Sequence, residues 1–150
     1  MPGKSLAEVL FEEQKEATRA KDRFRLSVIR MLRAELQNAA IAGKGALDEE
    51  EELVVLTREV KRRQEALSDY ERSGRQDLVD SLKQEIEILK RYLPEQLSEE
   101  ELEQLIRETI KETGAASRRD MGKVMGRLMP RVKGKADGSL VRRLVEKMLE

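Results

Sequence analysis

The sequence predicts an all-α protein in which a four-helix bundle is followed by a smaller three-helix bundle. Three observations favour this fold. Leu, Glu, Arg, Lys and Ala dominate the chain, and these are strong helix formers. No segment alternates apolar and polar residues over the length of a half-buried strand. Ser or Asp followed three positions later by Glu recurs before apolar stretches, and this spacing is typical of helix starts.

Two helices are predicted at the beginning of the chain. Ser5 and Glu8 have capping-box spacing at the start of the first helix, and the second helix begins near Asp22. Gly43-Lys44-Gly45 is expected to end the second helix. Apolar residues at three- and four-residue steps mark the faces that we expect to be buried. These residues are Leu6, Val9, Leu10, Ala17, Leu26, Ile29, Leu32, Leu36 and Ala40.

A long third helix and a fourth helix complete the first domain, residues 1–94. The third begins at Asp48, has Glu51 as its capping-box partner and ends at Gly74. The five acids from Asp48 to Glu52 are expected to complement the helix dipole and to face water. The short connection between the third and fourth helices predicts an antiparallel hairpin. Pro94 is expected to close this first bundle. The expected buried faces carry Leu53, Leu56, Val60, Leu67, Tyr70, Leu78, Leu82, Ile86, Leu89 and Leu93.

Residues 95–150 are predicted to form a second domain of three helices. The first of them is expected to stop at Gly114, and Pro130 is expected to end the second after Met129. The residues proposed to start the three helices are Ser98 with Glu101, Asp120 and Asp137. Their expected buried residues include Leu102, Leu105, Ile106, Ile110, Leu140, Val141, Leu144, Val145 and Met148.

Composition argues against several kinds of function. The 30 basic and 30 acidic side chains cancel, whereas a general nucleic-acid coat needs a basic excess. The chain has no Cys and no His, so thiolate sites and the commonest acid–base residue and metal ligand are missing. It also has no phosphate-binding glycine loop. We therefore expect no cofactor, no metal and no catalytic residue.

The sequence also argues against a membrane role. No uncharged run approaches the roughly 20 residues that span a bilayer. The amino terminus reaches Glu8 without a secretory apolar stretch. We expect a cytoplasmic protein with no membrane partner.

Charge is unevenly distributed in the second domain. Residues 95–114 contain seven acidic and two basic side chains, whereas residues 115–147 contain ten basic and three acidic ones. The basic stretch is either a phosphate-binding surface or a solvated face that balances the acidic helix before it. No aromatic residue follows Tyr92, so an RNA contact here would involve backbone and shape rather than base stacking. The candidate phosphate contacts are Arg118, Arg119, Lys123, Arg127, Lys133, Lys135, Arg142 and Arg143.

Two further features lie in this basic stretch. Lys133 and Lys135 precede the last helix, whose free amino-terminal amides suit a phosphate. Gly122 and Gly126 lie four residues apart, a spacing that lets another helix approach closely, and we expect them to allow tight internal packing. A neighbouring row of three methionines is interpreted as core, with a partner groove as the alternative. The row consists of Met121, Met125 and Met129.

Several segments form a recognisable series. They are Tyr92 to Leu102, Asp120 to Gly126 and Val132 to Val141, with Lys21-Asp22 and Leu26 to Leu32 upstream. Together they resemble the YqeY-like family, free-standing proteins similar to the tail domain of the B subunit of aspartyl/glutamyl-tRNA amidotransferase. The resemblance covers nearly the whole chain, and it implies a four-helix bundle joined to a three-helix bundle.

The likeness to the amidotransferase tail is strongest from Met121 to Val141. In that complex, which amidates mischarged tRNA with glutamine as nitrogen donor, the tail is taken to contact the tRNA. The resemblance therefore implies the label of a carbon–nitrogen ligase with glutamine as amido-N-donor. The kinase-like and amidase parts that perform this chemistry are absent from the 150 residues, so no catalysis is carried over to any residue.

Three hypotheses follow. The first is an accessory helical module that binds tRNA or another structured RNA. The second is a protein–protein adaptor with no RNA role. The third, an enzyme with its own ligase activity, has the least support because no nucleophile, base or nucleotide loop is visible.

Overall fold

The computed structural model describes residues 3–150, and every regular element among them is helical. No strand occurs in this part of the chain. A short 3-10 turn, Arg118–Asp120, precedes the sixth α-helix. The helices are α1 Leu6–Arg19, α2 Arg23–Ala42, α3 Glu49–Ser73, α4 Gln76–Lys90, α5 Glu99–Thr113, α6 Met121–Val132 and α7 Gly138–Met148. The all-α prediction is confirmed.

Backbone contacts divide the chain into two compact units. Unit 1 ends at Leu93, and unit 2 is Pro94–Glu150. Unit 1 contains α1 to α4, and unit 2 contains the 3-10 turn and α5 to α7. Each unit has its own cluster of buried apolar side chains.

The core of unit 1 is built from all four of its helices. The buried residues of its cluster are Leu10, Ala17, Val28, Ile29, Leu32, Leu36, Val55, Leu56, Val60, Ile88 and Leu89. In α1 and α2, five of the nine predicted positions are buried, and Leu6, Val9, Leu26 and Ala40 are half-buried. In α3 and α4 the prediction was partly wrong, because Leu53, Leu67, Tyr70, Leu78 and Leu82 are only half-buried. Val55, Val79 and Ile88 are buried instead.

Several predicted start and stop signals coincide with helix ends, although Asp120 lies at the start of α6 without capping it through its side chain. Asp48 and Glu51 make both bonds of a capping box: Glu51 N–H donates to Asp48 Oδ1 at 2.8 Å, and Asp48 N–H donates to Glu51 Oε1 at 3.1 Å. Ser5 makes only one such bond, accepting from Glu8 N–H at 3.1 Å. Gly74 ends α3 with φ of 75°, a conformation that glycine adopts without a steric penalty.

Glu52 behaves differently from the other acids at the start of α3. Its side chain is 5% exposed, and its two carboxylate oxygens accept from the backbone N–H groups of Leu6 and Ala7 at 3.1 and 3.0 Å. These donors lie in the first turn of α1, where no intrahelical acceptor is available. The prediction that the whole acidic run faces water was therefore wrong for Glu52, which caps a different helix.

A second carboxylate, Glu59, is buried on α3. It is 2% exposed, and Arg63 Nη1 donates to its Oε1 at 3.0 Å. Arg62 Nη1 lies 3.4 Å from Glu59 Oε2, although that oxygen accepts no hydrogen bond from the described residues. Arg63 Nε also lies 3.8 Å from Glu85 on α4. In the sequence, Arg63 interrupts the predicted apolar stripe of α3 between Val60 and Leu67, and this ion pair accounts for a charged residue at that position.

A third polar contact ties the end of unit 1 to its first helix. Tyr92 Oη donates to Glu13 Oε1 at 2.7 Å, and Arg25 Nη2 donates to the same oxygen at 2.8 Å. Burial raises the pKa of the Tyr92 phenol well above its usual value, and the bond to Glu13 adds to the effect. The bond to Glu13 likewise raises the pKa of Arg25.

Unit 2 has a core supplied by all three of its α-helices. Its buried residues are Leu102, Ile106, Val124, Leu128, Val132, Val141, Leu144, Val145 and Leu149. The expectation that Pro130 ends α6 was wrong, because the helix continues to Val132. Val132 is completely buried, so its packing offsets the backbone hydrogen bond that proline removes from this last turn.

Candidate nucleic-acid interface

The eight predicted phosphate contacts all lie in unit 2, and all eight are exposed. Two lie in the 3-10 turn, two on α6, two in the loop between α6 and α7, and two on α7. In that order they are Arg118 and Arg119, Lys123 and Arg127, Lys133 and Lys135, and Arg142 and Arg143.

The core positions of α6 and α7 explain this exposure. On α6, Val124, Leu128 and Val132 are buried at four-residue steps, which leaves Lys123 and Arg127 together beside that stripe. On α7 the buried positions are Val141, Leu144 and Val145, so Arg142 and Arg143 lie on the opposite, solvated side. Both pairs are exposed to solvent because each of the two helices buries only a narrow apolar stripe.

Arg127 is bound by a carboxylate of the acidic helix. Its Nε donates to Glu112 Oε2 at 3.0 Å, and Arg131 Nη2 donates to the same oxygen at 2.8 Å. These bonds, led by the one from Arg131, lower the pKa of the Glu112 carboxyl. Arg131 also lies 3.3 Å from the hydroxyl of buried Thr109. A phosphate at Arg127 would therefore compete with Glu112.

A second carboxylate engages Arg118. Its Nη2 donates to Glu150 Oε1 at 2.6 Å, which brings the 3-10 turn next to the end of the chain. Both side chains are more than half exposed, and exposed pairs of this kind contribute little to stability. Arg118 can therefore leave Glu150 for another anionic group with little loss of stability.

Five other members of the predicted set form no salt bridge with a carboxylate in the described part of the chain. Within residues 3–150, the side chains of Arg119, Lys135, Arg142 and Arg143 make no hydrogen bond or ion pair. Lys123 is close enough to Asp120 to help lower the pKa of that carboxyl, although the main cause is the hydrogen bond from Ala116 N–H. These five side chains carry positive charge that the folded unit leaves uncompensated by direct contact.

The loop with Lys133 and Lys135 is held in place by the segment before α5. Gln96 Nε2 donates to the Gly134 carbonyl at 2.7 Å, and Leu97 N–H donates to the Lys135 carbonyl at 2.9 Å. Gly134 has φ of 75°, a value that favours glycine. The α7 amino terminus is already partly occupied, because Asp137 accepts from Ser139 N–H at 3.3 Å. A phosphate there would share the helix end with a carboxylate.

The two glycines of α6 do not have the role expected of them. Gly122 and Gly126 are exposed, and a Cβ atom at either would meet nothing within 4 Å. The prediction that they allow tight internal packing was therefore wrong. The methionine row lies on another side of α6, where Met121, Met125 and Met129 are half-buried and pack against the core, as predicted.

The described residues contain neither a metal-binding cluster nor a membrane-spanning helix. Among residues 3–150, no group of three or more carboxylates is arranged to hold a metal ion. Within the same range, no helix combines the length and the apolar character that crossing a membrane requires. Sequence inspection missed the pairing of Glu112 with Arg127 and Arg131, because 15 and 19 residues separate the partners and no local spacing signals the contact.

Comparison with known proteins assigns the chain to a family. No curated protein matches the chain. The family model described as Yqey-like protein matches residues 7–149. This range begins at the second residue of α1 and includes all of α2 to α7. Because this match covers nearly the whole sequence, the chain belongs to the YqeY-like family.

Proposed function

We propose that the chain is an accessory helical module that binds tRNA, related to glutamine-dependent tRNA amidotransferase and without catalysis of its own. Family membership supports the relationship. The observation that carries RNA binding is the set of exposed cations on unit 2 without a direct carboxylate partner, which includes Arg119, Arg142 and Arg143. Such side chains can neutralise phosphates without first breaking a salt bridge.

In this proposal the two units have different tasks. Residues 1–94 form a four-helix bundle domain, and residues 95–150 form a three-helix bundle that presents phosphate-binding side chains. The partner is tRNA or another structured RNA, so the protein acts in the cytoplasm. Recognition depends on backbone and shape, because unit 2 contains no aromatic side chain for base stacking.

No catalytic step is assigned to this chain. The family label of carbon–nitrogen ligase with glutamine as amido-N-donor belongs to a larger assembly. Purified protein supplied with glutamine, ATP and mischarged tRNA is expected to form no amide product. Turnover by a preparation without contaminating amidotransferase would contradict this part of the proposal.

The decisive experiment is a titration with bulk tRNA at several salt concentrations. The logarithm of the affinity should fall linearly with the logarithm of salt concentration, by roughly 0.9 per phosphate contact. Replacing Arg142 and Arg143 together by Ala should weaken binding about equally for different RNAs and flatten that slope by roughly two units. Replacing Lys133 and Lys135 together should act in the same direction.

A matched control separates this surface from net charge alone. Arg107 and Lys111 are exposed on the acidic helix α5, and their double Ala variant loses the same two charges. It should retain most of the wild-type affinity and salt slope. The tRNA proposal is wrong if wild-type protein shows no salt-dependent binding at low ionic strength, or if the α5 variant weakens binding as much as the α7 variant.

The adaptor hypothesis has support from a different part of the molecule. Among residues 3–150, the exposed large hydrophobic side chains are Phe11, Ile41 and Val54, and all three lie in unit 1. An adaptor with no RNA role would use this unit, and the chain would then show no salt-dependent tRNA binding.

A further inference from the structure

Unit 1 contains an open cavity beside the start of α1. Its volume is about 230 Å³, and its apolar lining includes Ala7 of α1, Leu36 and Ala40 of α2, and Leu47 of the following loop. A cavity of about 150 Å³ already accommodates a molecule of the size of benzene. The space beside α1 is therefore large enough for one apolar side chain such as Leu, Met or Phe.

Exposed apolar side chains extend this cavity along both helices. Phe11 is one turn beyond Ala7 on α1 and is 49% exposed. Ile41 is one turn beyond Gln37, another lining residue, on α2 and is 75% exposed. The surface thus offers apolar contacts about one helical turn apart on either side of a cavity. An amphipathic helix presents anchors at this spacing.

Two cations lie over the exposed aromatic ring of this surface. Lys15 Nζ lies 4.4 Å from the centre of the Phe11 ring, and the Arg33 guanidinium lies 5.3 Å from it. Arg33 also lines the cavity and donates to the neutral side chain of Gln14. Neither cation has a carboxylate within 4 Å in the part of the chain that the structure describes.

The one carboxylate of the cavity lining is already engaged. Both oxygens of Glu52 accept backbone N–H groups at the start of α1. The negative charge of Glu52 lies beside those amides, and its carboxylate is almost completely buried. The surface that remains for a partner therefore combines an apolar cavity with two cations over an exposed aromatic ring.

We propose that this surface of α1 and α2 binds an acidic amphipathic helix of another protein. One large apolar side chain of that helix fills the cavity, neighbouring apolar residues cover Phe11 and Ile41, and a carboxylate pairs with Lys15 and Arg33. The charge selects acidic over basic helices, and the cavity supplies the anchor around which water is excluded. This inference concerns unit 1 and does not depend on tRNA binding by unit 2.

The test uses the full chain, labelled with 15N, and a synthetic peptide of about 18 residues, or about five helical turns. The peptide has Leu at helical core spacing, Glu beside that stripe, and Ala and Gln elsewhere. Addition of the peptide should shift the amide signals of Ala7, Leu36, Ala40 and Leu47 and leave unit 2 unchanged. A peptide with Lys in place of Glu should bind at least about tenfold more weakly.

Variants on the exposed rim test the same surface without disturbing the core. Ile41→Glu should weaken peptide binding about tenfold, because it adds a repelling charge at a position that is already solvated. Val54→Glu is the matched control, since Val54 is the remaining exposed large hydrophobic residue of the described chain and does not line the cavity. It should bind the peptide like the wild type.

Four results would overturn the proposal. They are absence of shifts with the acidic peptide, equal binding of the basic peptide, equal effects of Ile41→Glu and Val54→Glu, and shifts of the same signals by bulk tRNA in place of the peptide. Sedimentation measurements add a fifth. Self-association of the wild type that Ile41→Glu abolishes would assign the surface to a second copy of the chain.

Discussion

The carboxylate of Glu52 accepts a hydrogen bond from the backbone N–H of Leu6, 46 residues earlier in the chain. A second bond, from Ala7, completes the cap, so a side chain of α3 satisfies the first turn of α1. Charge and geometry act together here, because a helix amino terminus carries a partial positive charge. The start of α1 is therefore stabilised by tertiary structure as well as by its own Ser5 cap.

Glu52→Ala should destabilise unit 1 by about 2 kcal/mol, since it leaves two donors without their acceptor and opens space in a buried region. The free energy of unfolding from urea titration measures this change. Glu49→Ala is the control, because Glu49 is exposed in the same first turn of α3. It should cost only a few tenths of a kcal/mol. Equal losses in the two variants would show that the carboxylate of Glu52 acts only through the dipole of α3.

Ile106→Ala should destabilise unit 2 alone. Ile106 is completely buried in the second apolar cluster, and truncation of such a side chain costs about 3 kcal/mol. Amide hydrogen exchange should quicken across α5, α6 and α7, whereas the helices of residues 3–93 should keep wild-type protection. Accelerated exchange throughout both units would contradict the prediction of two separately folding domains.

Local signals were sufficient to predict much of this fold. Asp48 with Glu51, Gly74 and Gly114 mark helix ends in the sequence and do so in the structure, because capping and left-handed turns depend on residues close in the chain. Burial of Glu52 and Glu59 was not predictable in this way. Glu52 bonds to backbone amides of another helix, and Glu59 lies beside arginines of its own helix. The pattern of apolar positions describes neither kind of contact.

In the candidate site, too, local sequence signals predicted some features, and contacts between distant residues decided others. The predicted apolar stripe of α7 left Arg142 and Arg143 for the exposed face. The stripe of Val124, Leu128 and Val132 on α6 was not predicted, so periodicity gave no basis for the exposure of Lys123 and Arg127. The sequence pattern did not predict which cations are bound by carboxylates, because Glu112 of α5 accepts from Arg127 of another helix, α6. It also misassigned the glycines of α6, because small size permits close packing without requiring it.

Glu112→Gln should strengthen tRNA binding by the full chain. The change releases Arg127 and Arg131 from a carboxylate that competes with phosphate, and two additional contacts would steepen the salt slope by roughly two units. Glu108→Gln on the same exposed helix removes the same charge without involving either arginine, and it should change the slope little. If both variants bind alike, Glu112 acts only through net charge.

Acid should also weaken the Glu112 contact. The pKa of its carboxyl is lowered in the folded chain, so its stabilising contribution is present above the unfolded value of about 4.3 and is lost as pH falls through the folded pKa. Thermal unfolding of wild type and Glu112→Gln should therefore converge as the solution is acidified below about pH 4. A difference between them that stays constant at low pH would contradict this assignment.

Tyr92→Phe tests the polar contact at the end of unit 1. The pKa of Tyr92 is raised on folding, so the stabilisation from its neutral form is fully present below the unfolded value of about 10 and is lost as pH rises above it. At neutral pH the variant should lose about 1 kcal/mol with the bond to Glu13. Above pH ~10 the difference in the free energy of unfolding between wild type and variant should become smaller. A gap that widens in alkali would contradict the direction of the shift.

The composition of α6 determines how firmly this helix holds its two exposed cations in place. Gly122 and Gly126 enlarge the conformational freedom of the unfolded segment, and Pro130 leaves the Gly126 carbonyl without its helical donor. The helix that carries Lys123 and Arg127 therefore has little intrinsic stability and depends on Val124, Leu128 and Val132 remaining in the core. Transient loosening of that apolar stripe would fray this helix before its neighbours and would change the distance between its two cations.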